Sequence, residues 1–138
     1  MPEGLVLNGP PVPGGGDSLF VSLHRSLSHL MHVKSVPTTS CKLREMLVDE
    51  RVKNPSKYNI NLTSESRKQL RLMRCSGQLP SLELFLVASN LFQTKCHVYF
   101  WSSQPIVYQY HDYKSTINLQ CISGIHFNPL IEVLNFVP

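Results

Sequence analysis

The first two thirds of the chain carry apolar residues at helical spacing, which predicts four helices. The first helix begins at about Ser18, and its apolar positions run from Leu19 to Met31 with polar residues between them. Three more helices are expected at about 40–51, 63–74 and 81–92, and the last is apolar almost all round, as is typical of a helix inside a core. The predicted buried positions are Leu43, Met46 and Leu47 in the second helix and a weaker stripe of Leu70 and Met73 in the third.

After about residue 95 the pattern changes to short runs of β-branched and aromatic residues between turn formers, which predicts strands at 96–101, 106–110 and 117–122. The last run, Ile131–Phe136, is expected either to close the sheet or to cover its edge. Residues 1–13 are predicted to be an extended lead-in with one short strand at Leu5–Leu7. Helices followed by strands indicate the α+β class, with helices packed on a small, mostly antiparallel sheet.

Length and composition favour a single domain over residues 1–138. Only 16% of the 138 residues are charged, against the roughly 25% usual for soluble domains, which argues against disorder and against a charged coiled coil. The net charge of +4 permits an anionic partner without indicating nucleic acid. The start lacks a secretory pattern and no apolar run is long enough to cross a bilayer, so we expect a cytoplasmic monomer that binds no membrane.

The cysteines predict free thiols and neither a metal nor a cofactor. They are widely separated, form no Cys-x-x-Cys pair and have no histidine at ligand spacing. A reducing compartment would keep them as thiols. His29 and His32 are three residues apart, but no cysteine or carboxylate lies near them, so solvated or half-buried histidines are favoured over a metal pair. The four cysteines are Cys41, Cys75, Cys96 and Cys121.

The first candidate site is the loop at 13–20, Pro-Gly-Gly-Gly-Asp-Ser-Leu-Phe, which brings the hydroxyl of Ser18 to the first turn of a helix. Unpaired N–H groups and the helix dipole favour negative charge there, and glycines let backbone N–H groups turn toward a developing oxyanion. The loop is therefore a candidate position for a nucleophile. Taken alone, the pattern favours a simple serine cap, because serine is a preferred residue at helix N-termini.

The second candidate is His126, with Asn128 two residues further on. In a strand these two residues share a face, so Asn128 could orient the His126 ring while the other ring nitrogen faces a nucleophile. Taken alone, a histidine is more often a surface or structural residue.

A third feature is the segment 42–74, which carries nine basic and four acidic residues, a local net charge of +5. A solvated helical face is the favoured interpretation, and a face for RNA or an acidic partner is the alternative. Only Tyr58 interleaves with the charges as an aromatic residue, which weakens the case for single-strand binding.

Together these motifs resemble the ovarian-tumour (OTU) family of cysteine proteases, most of which are deubiquitinases. The family motif Asp-Gly-Asn-Cys-Leu-Phe is answered by residues 15–20, Gly-Gly-Asp-Ser-Leu-Phe, and the closing His-Tyr-Asn by His126-Phe127-Asn128. The resemblance covers roughly residues 12–130 and implies a papain-type OTU fold. Between the two motifs, in the family's order, lie Leu43-Arg44, Met73 to Gly77, Glu83-Leu84 and Val98-Tyr99.

The resemblance implies a role for each site residue. A thiolate at position 18 would attack the isopeptide carbonyl after the tail of ubiquitin or a ubiquitin-like modifier, and His126 would take and return the proton. Asn128 would orient the imidazole, and backbone N–H groups around Gly16 and Asp17 would hold the oxyanion. The implied partner is ubiquitin or a ubiquitin-like modifier, and no cofactor is implied.

The sequence departs from the family at three places. Ser18 stands where the family has cysteine, and a neutral hydroxyl lacks the thiolate on which a Cys–His site relies. Gly15 replaces the family's leading Asp, which leaves Asn128 as the evident third member of the site. The family's Trp-Gly-Gly turn is reduced to Cys75-Ser-Gly77.

Ser18 leaves several interpretations open. An engineered Cys→Ser change that silences a protease is favoured, because His126 and Asn128 remain together. A natural, non-catalytic ubiquitin-binding pseudoenzyme and a working Ser-His-Asn hydrolase are the alternatives. A basic nucleic-acid-binding domain centred on 42–74 is the alternative from another class. A small OTU domain suits a viral, mobile-element or minimal eukaryotic source, and a viral one would act in the host cytoplasm.

Overall fold

The computed structural model describes residues 2–33, 35–58, 63–75, 77–78 and 80–133. The side chains of Thr39 and Thr63 cap two of its helices, because their hydroxyl oxygens accept the backbone N–H groups of Lys42 and Ser66. Within the described ranges, no helix is both long enough and apolar enough to cross a membrane. The helices are α1 (Ser18–Ser28), α2 (Ser40–Lys53), a 3-10 helix (Pro55–Tyr58), α3 (Ser64–Leu72) and α4 (Leu84–Phe92).

Five strands form one mixed sheet in the order β1–β5–β4–β2–β3. Three neighbouring pairs are antiparallel and confirm the predicted α+β class with a mostly antiparallel sheet. The pair β2–β4 is parallel: β4 follows β3 in the chain, runs in the direction opposite to β3 and pairs with the other side of β2. The strands are β1 (Leu5–Leu7), β2 (Lys95–Tyr99), β3 (Ile106–Tyr108), β4 (Thr116–Ile122) and β5 (His126–Glu132).

The core lies between the helices and one face of the sheet. The prediction that α4 is buried is confirmed, and its Phe85 ring lies 5.3 Å from the Tyr108 ring and 5.5 Å from the Phe127 ring. Alternate residues of β2 point into the core, as the strand period requires. The inward residues include Leu19, Leu23 and Leu27 of α1, Leu43, Leu47 and Val48 of α2, Cys96 and Val98 of β2, and Leu119 of β4.

Two predicted core positions are wrong. Met31 is 95% exposed, because α1 ends at Ser28 and the chain leaves the helix before reaching it. Met46 is exposed, because the buried side of α2 includes Arg44 and Arg51, two polar residues that the hydrophobic pattern could not assign to the core.

The predicted final strand is also placed too late, because β5 already begins at His126 and includes Ile131. It pairs with β4 on one side and with β1 on the other, so it lies inside the sheet and does not merely cover an edge. Residues 134–136 of the predicted strand lie outside the described residues.

Helix α1 completes the hydrogen bonding of β5 where β1 ends. Asn8 N–H, just after β1, donates to the Pro129 carbonyl at 2.9 Å. Further toward the start of β5, Ser22 Oγ donates to the Phe127 carbonyl at 2.8 Å, and Ser18 Oγ accepts the Phe127 N–H at 3.0 Å. Because Ser18 and Ser22 are four residues apart, they lie on one face of the helix and contact the same strand residue.

All four cysteines are free thiols, as predicted. Cys41 and Cys75 are exposed, whereas Cys96 and Cys121 are buried. Burial raises the pKa of the Cys96 thiol to about 12 and also raises the pKa of Cys121. Since the thiolate is the reactive form, the two buried thiols are protected in two ways: a reagent cannot reach them, and they stay protonated.

We therefore expect a thiol reagent such as Ellman's reagent to label two cysteines per folded chain at about pH 8, where a buried thiol of raised pKa is protonated. The remaining two should react only when the chain is unfolded in guanidinium. Cys41→Ala and Cys75→Ala should each remove one fast-reacting equivalent. Rapid labelling of all four thiols in the folded protein would contradict the burial of Cys96 and Cys121.

We expect Ser22→Ala to lower the free energy of unfolding by about 1–3 kcal/mol, because it leaves the Phe127 carbonyl without the hydroxyl donor. Denaturation in urea measures this change. Ser28→Ala is the matched control on the same helix, since Ser28 is exposed and its hydroxyl donates back to the His24 carbonyl one turn earlier. Its effect should stay within about 0.5 kcal/mol. Equal effects of the two changes would show that the contact between α1 and β5 does not stabilise the fold.

Candidate active site

Ser18 is the first residue of α1 and its side chain is buried, with 1% exposed surface. Its hydroxyl accepts the Phe127 N–H at 3.0 Å and makes a long contact of 3.5 Å with the Ile125 carbonyl. These two residues flank His126 in the chain. The helix start and the predicted base are therefore adjacent in space, although they are more than 100 residues apart in the sequence.

His126 begins β5, and Asn128 lies two residues along the same strand, so the two side chains share one face of the sheet as expected. His126 is half-buried and Asn128 is buried. Their hydrogen bonds go to the same residue of the lead-in. His126 Nε2 lies 2.6 Å from the Val12 carbonyl oxygen, and Asn128 Oδ1 accepts the Val12 N–H at 3.1 Å.

The predicted site residues are close together but are not joined in the predicted way. Among the described residues no hydrogen bond joins Ser18 to the His126 ring, and none joins Asn128 to His126. A carbonyl oxygen can only accept a hydrogen bond, so the contact with Val12 places the ring proton of neutral His126 on Nε2. Nδ1 is then the nitrogen that can act as a base, and it lies on the side of the ring near Gly14.

The glycine loop before α1 is held close to the turn at 75–78. A side chain at Gly16 would collide with the backbone of Gly77 and Gln78, so only glycine fits this approach. Gly15 has a φ of +106°, which disfavours any other residue. This backbone conformation accounts physically for glycine at the place where the resembled motif has aspartate.

Asp17 is the N-terminal flanking residue of α1, but its side chain does not cap the helix. Its Oδ1 atom instead accepts hydrogen bonds from Arg44 Nη2 at 2.6 Å and from Gly77 N–H at 2.8 Å. The carboxylate therefore joins the glycine loop, helix α2 and the turn at 75–78.

Arg44 organises both loops from inside the protein. Its side chain is 2% exposed, and its guanidinium lies 4.1 Å from the centre of the Phe20 ring. Nη2 donates to the Gly16 carbonyl at 2.8 Å in addition to Asp17. Nη1 donates to the carbonyls of Met73, Cys75 and Gln78 at 2.6, 3.0 and 3.3 Å. A buried arginine with this many acceptors fixes the loop geometry, because guanidinium donors have a rigid arrangement.

The basic segment at 42–74 loses much of its free charge in the folded chain. Arg44 and Arg51 are buried, and Arg51 Nε lies 3.3 Å from Glu83 Oε2. Arg74 makes two hydrogen bonds to the carboxylate of Asp49. Among the nine basic side chains of the segment, Arg44, Arg51 and Arg74 therefore have acidic partners within the chain.

Three residues of this region are not among the predicted site residues: Val12, Ser22 and Arg44. The sequence does carry a signal for Val12, because it is the one residue of Pro10–Pro13 that has a backbone N–H. The signal for Arg44 is its position beside Leu43 and one turn before Leu47 and Val48, on the apolar side of α2. Ser22 lies on the buried side of α1 between Leu19 and Leu23.

Solved structures of similar fold cover nearly the whole chain. The OTU domain of OTUD1 superposes with a TM-score of 0.70 at 11% identity, over 93% of this chain and 86% of that domain. An OTU deubiquitinase from Wolbachia pipientis wMel gives 0.69 at 19% identity, over 96% and 91%. The Hazara virus OTU bound to ubiquitin gives 0.62 at 10% identity, over 95% and 83%.

No protein-family model matches the sequence, and no curated protein matches it significantly. The similarity is therefore carried by the order and packing of the helices and strands rather than by sequence identity. The chain has the fold of the OTU deubiquitinase domains.

Proposed function

We propose that this protein recognises ubiquitin or a ubiquitin-like modifier, and that its site is the centre of an OTU-type isopeptidase in which a hydroxyl replaces the thiol. One observation carries the proposal: in a chain of OTU fold, the first residue of α1 contacts the backbone of Ile125 and Phe127, the residues on both sides of His126. The Hazara virus OTU of the same fold is bound to ubiquitin, which supports the choice of partner.

With a thiol at position 18, the chemistry would follow from the positions of the surrounding groups. The thiol gives its proton to His126, and the thiolate adds to the isopeptide carbonyl. The tetrahedral intermediate collapses as His126 returns the proton to the departing lysine amine, and water then hydrolyses the thioester to release the modifier. The start of α1 stabilises the thiolate, and backbone N–H groups of residues 16–18 stabilise the oxyanion.

Under this proposal, the chain with Ser18 is inactive as a protease. The hydroxyl keeps its proton near neutral pH and, in the described residues, makes no hydrogen bond to the His126 ring that would activate it. Binding of the modifier does not need the thiol, so the inactive chain is expected to keep its partner.

A natural ubiquitin-binding pseudoenzyme is the second candidate function. The observation that favours it is that the Ser18 hydroxyl makes a structural hydrogen bond. Ser18 Oγ accepts the Phe127 N–H, and Ser22 Oγ donates to the Phe127 carbonyl. A hydroxyl is a better neutral hydrogen-bond acceptor than a thiol. A serine at this position therefore has a structural use of its own.

Ser18→Cys is expected to give a chain that cleaves a ubiquitin–fluorophore substrate and reacts with a ubiquitin vinyl sulfone probe, because it supplies the missing thiolate. A further His126→Ala change should lower kcat by about 10²–10⁴-fold, which is the usual contribution of general acid–base catalysis. Fluorescence release and a mass shift of the labelled chain measure the two effects.

The matched control is Ser22→Cys, which places a thiol one turn further along the same face of α1, against the Phe127 carbonyl instead of its N–H. It should neither cleave nor label. A folded Ser18→Cys chain that neither cleaves the substrate nor reacts with the probe would refute the protease half of the proposal. The ubiquitin-binding pseudoenzyme would then be the remaining candidate.

The unaltered chain is expected to bind ubiquitin with a Kd that changes less than about tenfold between about 50 and 200 mM salt. A protein that neutralises six or more phosphates loses about 10³-fold affinity over that range. Calorimetric titration distinguishes the two cases. Ubiquitin without its C-terminal tail should bind more weakly, since the proposed site accepts that tail. Steeply salt-dependent binding of RNA, with no binding of ubiquitin, would favour the nucleic-acid alternative.

A further inference from the structure

Val12 lies between the two polar side chains of the candidate site that belong to β5. Its carbonyl is 2.6 Å from His126 Nε2, and its N–H donates to Asn128 Oδ1 at 3.1 Å. The residue is buried, with 2% of its surface exposed. One residue of the lead-in therefore occupies the hydrogen-bonding position between His126 and Asn128.

The sequence around Val12 makes this contact specific. Pro10, Pro11 and Pro13 have no backbone N–H, so the N–H of Val12 is the only amide donor that this run of four residues can offer. Pro13 also restricts Val12 to extended conformations, because the proline ring excludes the helical region for the preceding residue. The chain is thus stiff where it meets the site.

The run is also held at its beginning. Arg25 of α1 donates from Nη1 to the carbonyls of Asn8 and Pro10 at 2.8 and 2.6 Å. Asn8 N–H donates to the Pro129 carbonyl of β5. Helix α1 and strand β5, which carry Ser18 and His126, therefore both position the segment that contacts the imidazole.

We propose that the main chain of Val12 is the third member of the site: its carbonyl orients His126, and Asn128 is a positioning residue that acts through the Val12 N–H. The catalytic role of this arrangement rests on the proposed function, whereas the hydrogen bonds themselves do not. The arrangement replaces the direct Asn128–His126 contact that the resemblance implies with a backbone relay in the order Asn128, Val12, His126.

The relay has a definite chemical consequence. A carbonyl acceptor at Nε2 holds the ring proton on that nitrogen and leaves Nδ1 as the base. An amide side chain bonded to His126 directly could turn over and present either its oxygen or its NH₂ group, and so could accept from or donate to the ring. A backbone carbonyl offers only the acceptor, so the relay selects one tautomer.

The main experiment is ¹⁵N NMR of the imidazole of His126 in the unaltered chain at about pH 8.5, where imidazoles are ordinarily neutral. We expect the Nε2-protonated tautomer to predominate. Val12→Pro removes the N–H that Asn128 accepts and replaces the buried isopropyl group while keeping the carbonyl, and Asn128→Ala removes the acceptor. Both changes should produce a mixture of the two tautomers. A direct Asn128–His126 contact predicts instead that Val12→Pro leaves the tautomer unchanged.

A second measurement needs no change at Val12 and decides the matter if Val12→Pro does not fold. Hydrogen exchange of the Val12 amide should be at least tenfold faster in Asn128→Ala than in the unaltered chain. The matched change is Ser28→Ala, which lies outside the relay and should leave the exchange rate as it is. An unchanged Val12 exchange rate in folded Asn128→Ala would overturn the relay.

The catalytic measurement uses the Ser18→Cys background. Val12→Pro and Asn128→Ala should each lower kcat by about 10²–10⁴-fold with little change in KM, and the double variant should be no slower than the slower single variant. Val12→Ala keeps both main-chain groups and measures the loss of the buried side chain. The loss of kcat in Val12→Pro should be at least ten times larger than the loss in Val12→Ala. Equal losses in the two variants would overturn the relay.

The two proposals fail separately. If Ser18→Cys is inactive while the tautomer and exchange results are as expected, the relay stands and the protease hypothesis falls. If Ser18→Cys is active and Val12→Pro changes neither tautomer nor kcat, the protease hypothesis stands and the relay falls.

Discussion

The contact between α1 and the Phe127 backbone is the constraint from which the arrangement of the site follows. Beyond β1, strand β5 presents an N–H and a C=O that need partners, because buried backbone groups left unpaired are costly. Ser18 and Ser22 provide those partners from one face of α1. A helix start is thereby placed beside His126. The same hydrogen bonds that complete the sheet also bring the candidate nucleophile position to the candidate base.

A second constraint acts from the other side of the glycine loop. Arg44 carries a buried charge that is stable only because Asp17 and several backbone carbonyls surround it. Arg51 is buried on the same helix, with Glu83 Oε2 3.3 Å from its Nε and the centre of the Tyr58 ring 5.9 Å from its guanidinium carbon, yet its guanidinium nitrogens make no hydrogen bond in the described part of the chain. The contrast shows that burial alone does not account for the contacts of Arg44. They tie Gly16 and Asp17 to the carbonyls of Met73, Cys75 and Gln78, and so fix the backbone before Ser18 relative to a second loop.

The sequence predicted those parts of the fold that depend on local patterns. The start of α1 at Ser18, the burial of α4 and the strands β1 to β4 follow from spacing and turn residues, which act over a few positions. Met46 was wrongly predicted to be buried and Arg44 was not among the predicted buried positions, because the hydrophobic pattern cannot tell that an arginine will find acceptors more than 25 residues away. Ser18 and His126 were placed in one site by resemblance. The intervening Val12 was missed, since a contact made by backbone atoms leaves no side-chain motif.

The Ser18–Phe127 contact has a different meaning for each residue that position 18 can carry. For serine it is a neutral hydrogen bond that completes the edge of β5. For a thiolate the same N–H donor would be a charge-assisted bond at the start of a helix, and both effects favour the ionised form. A single backbone group thus supports the fold in the serine chain and would support the nucleophile in a cysteine chain. A change between the two residues therefore alters the chemistry of the site while keeping the contact that positions it.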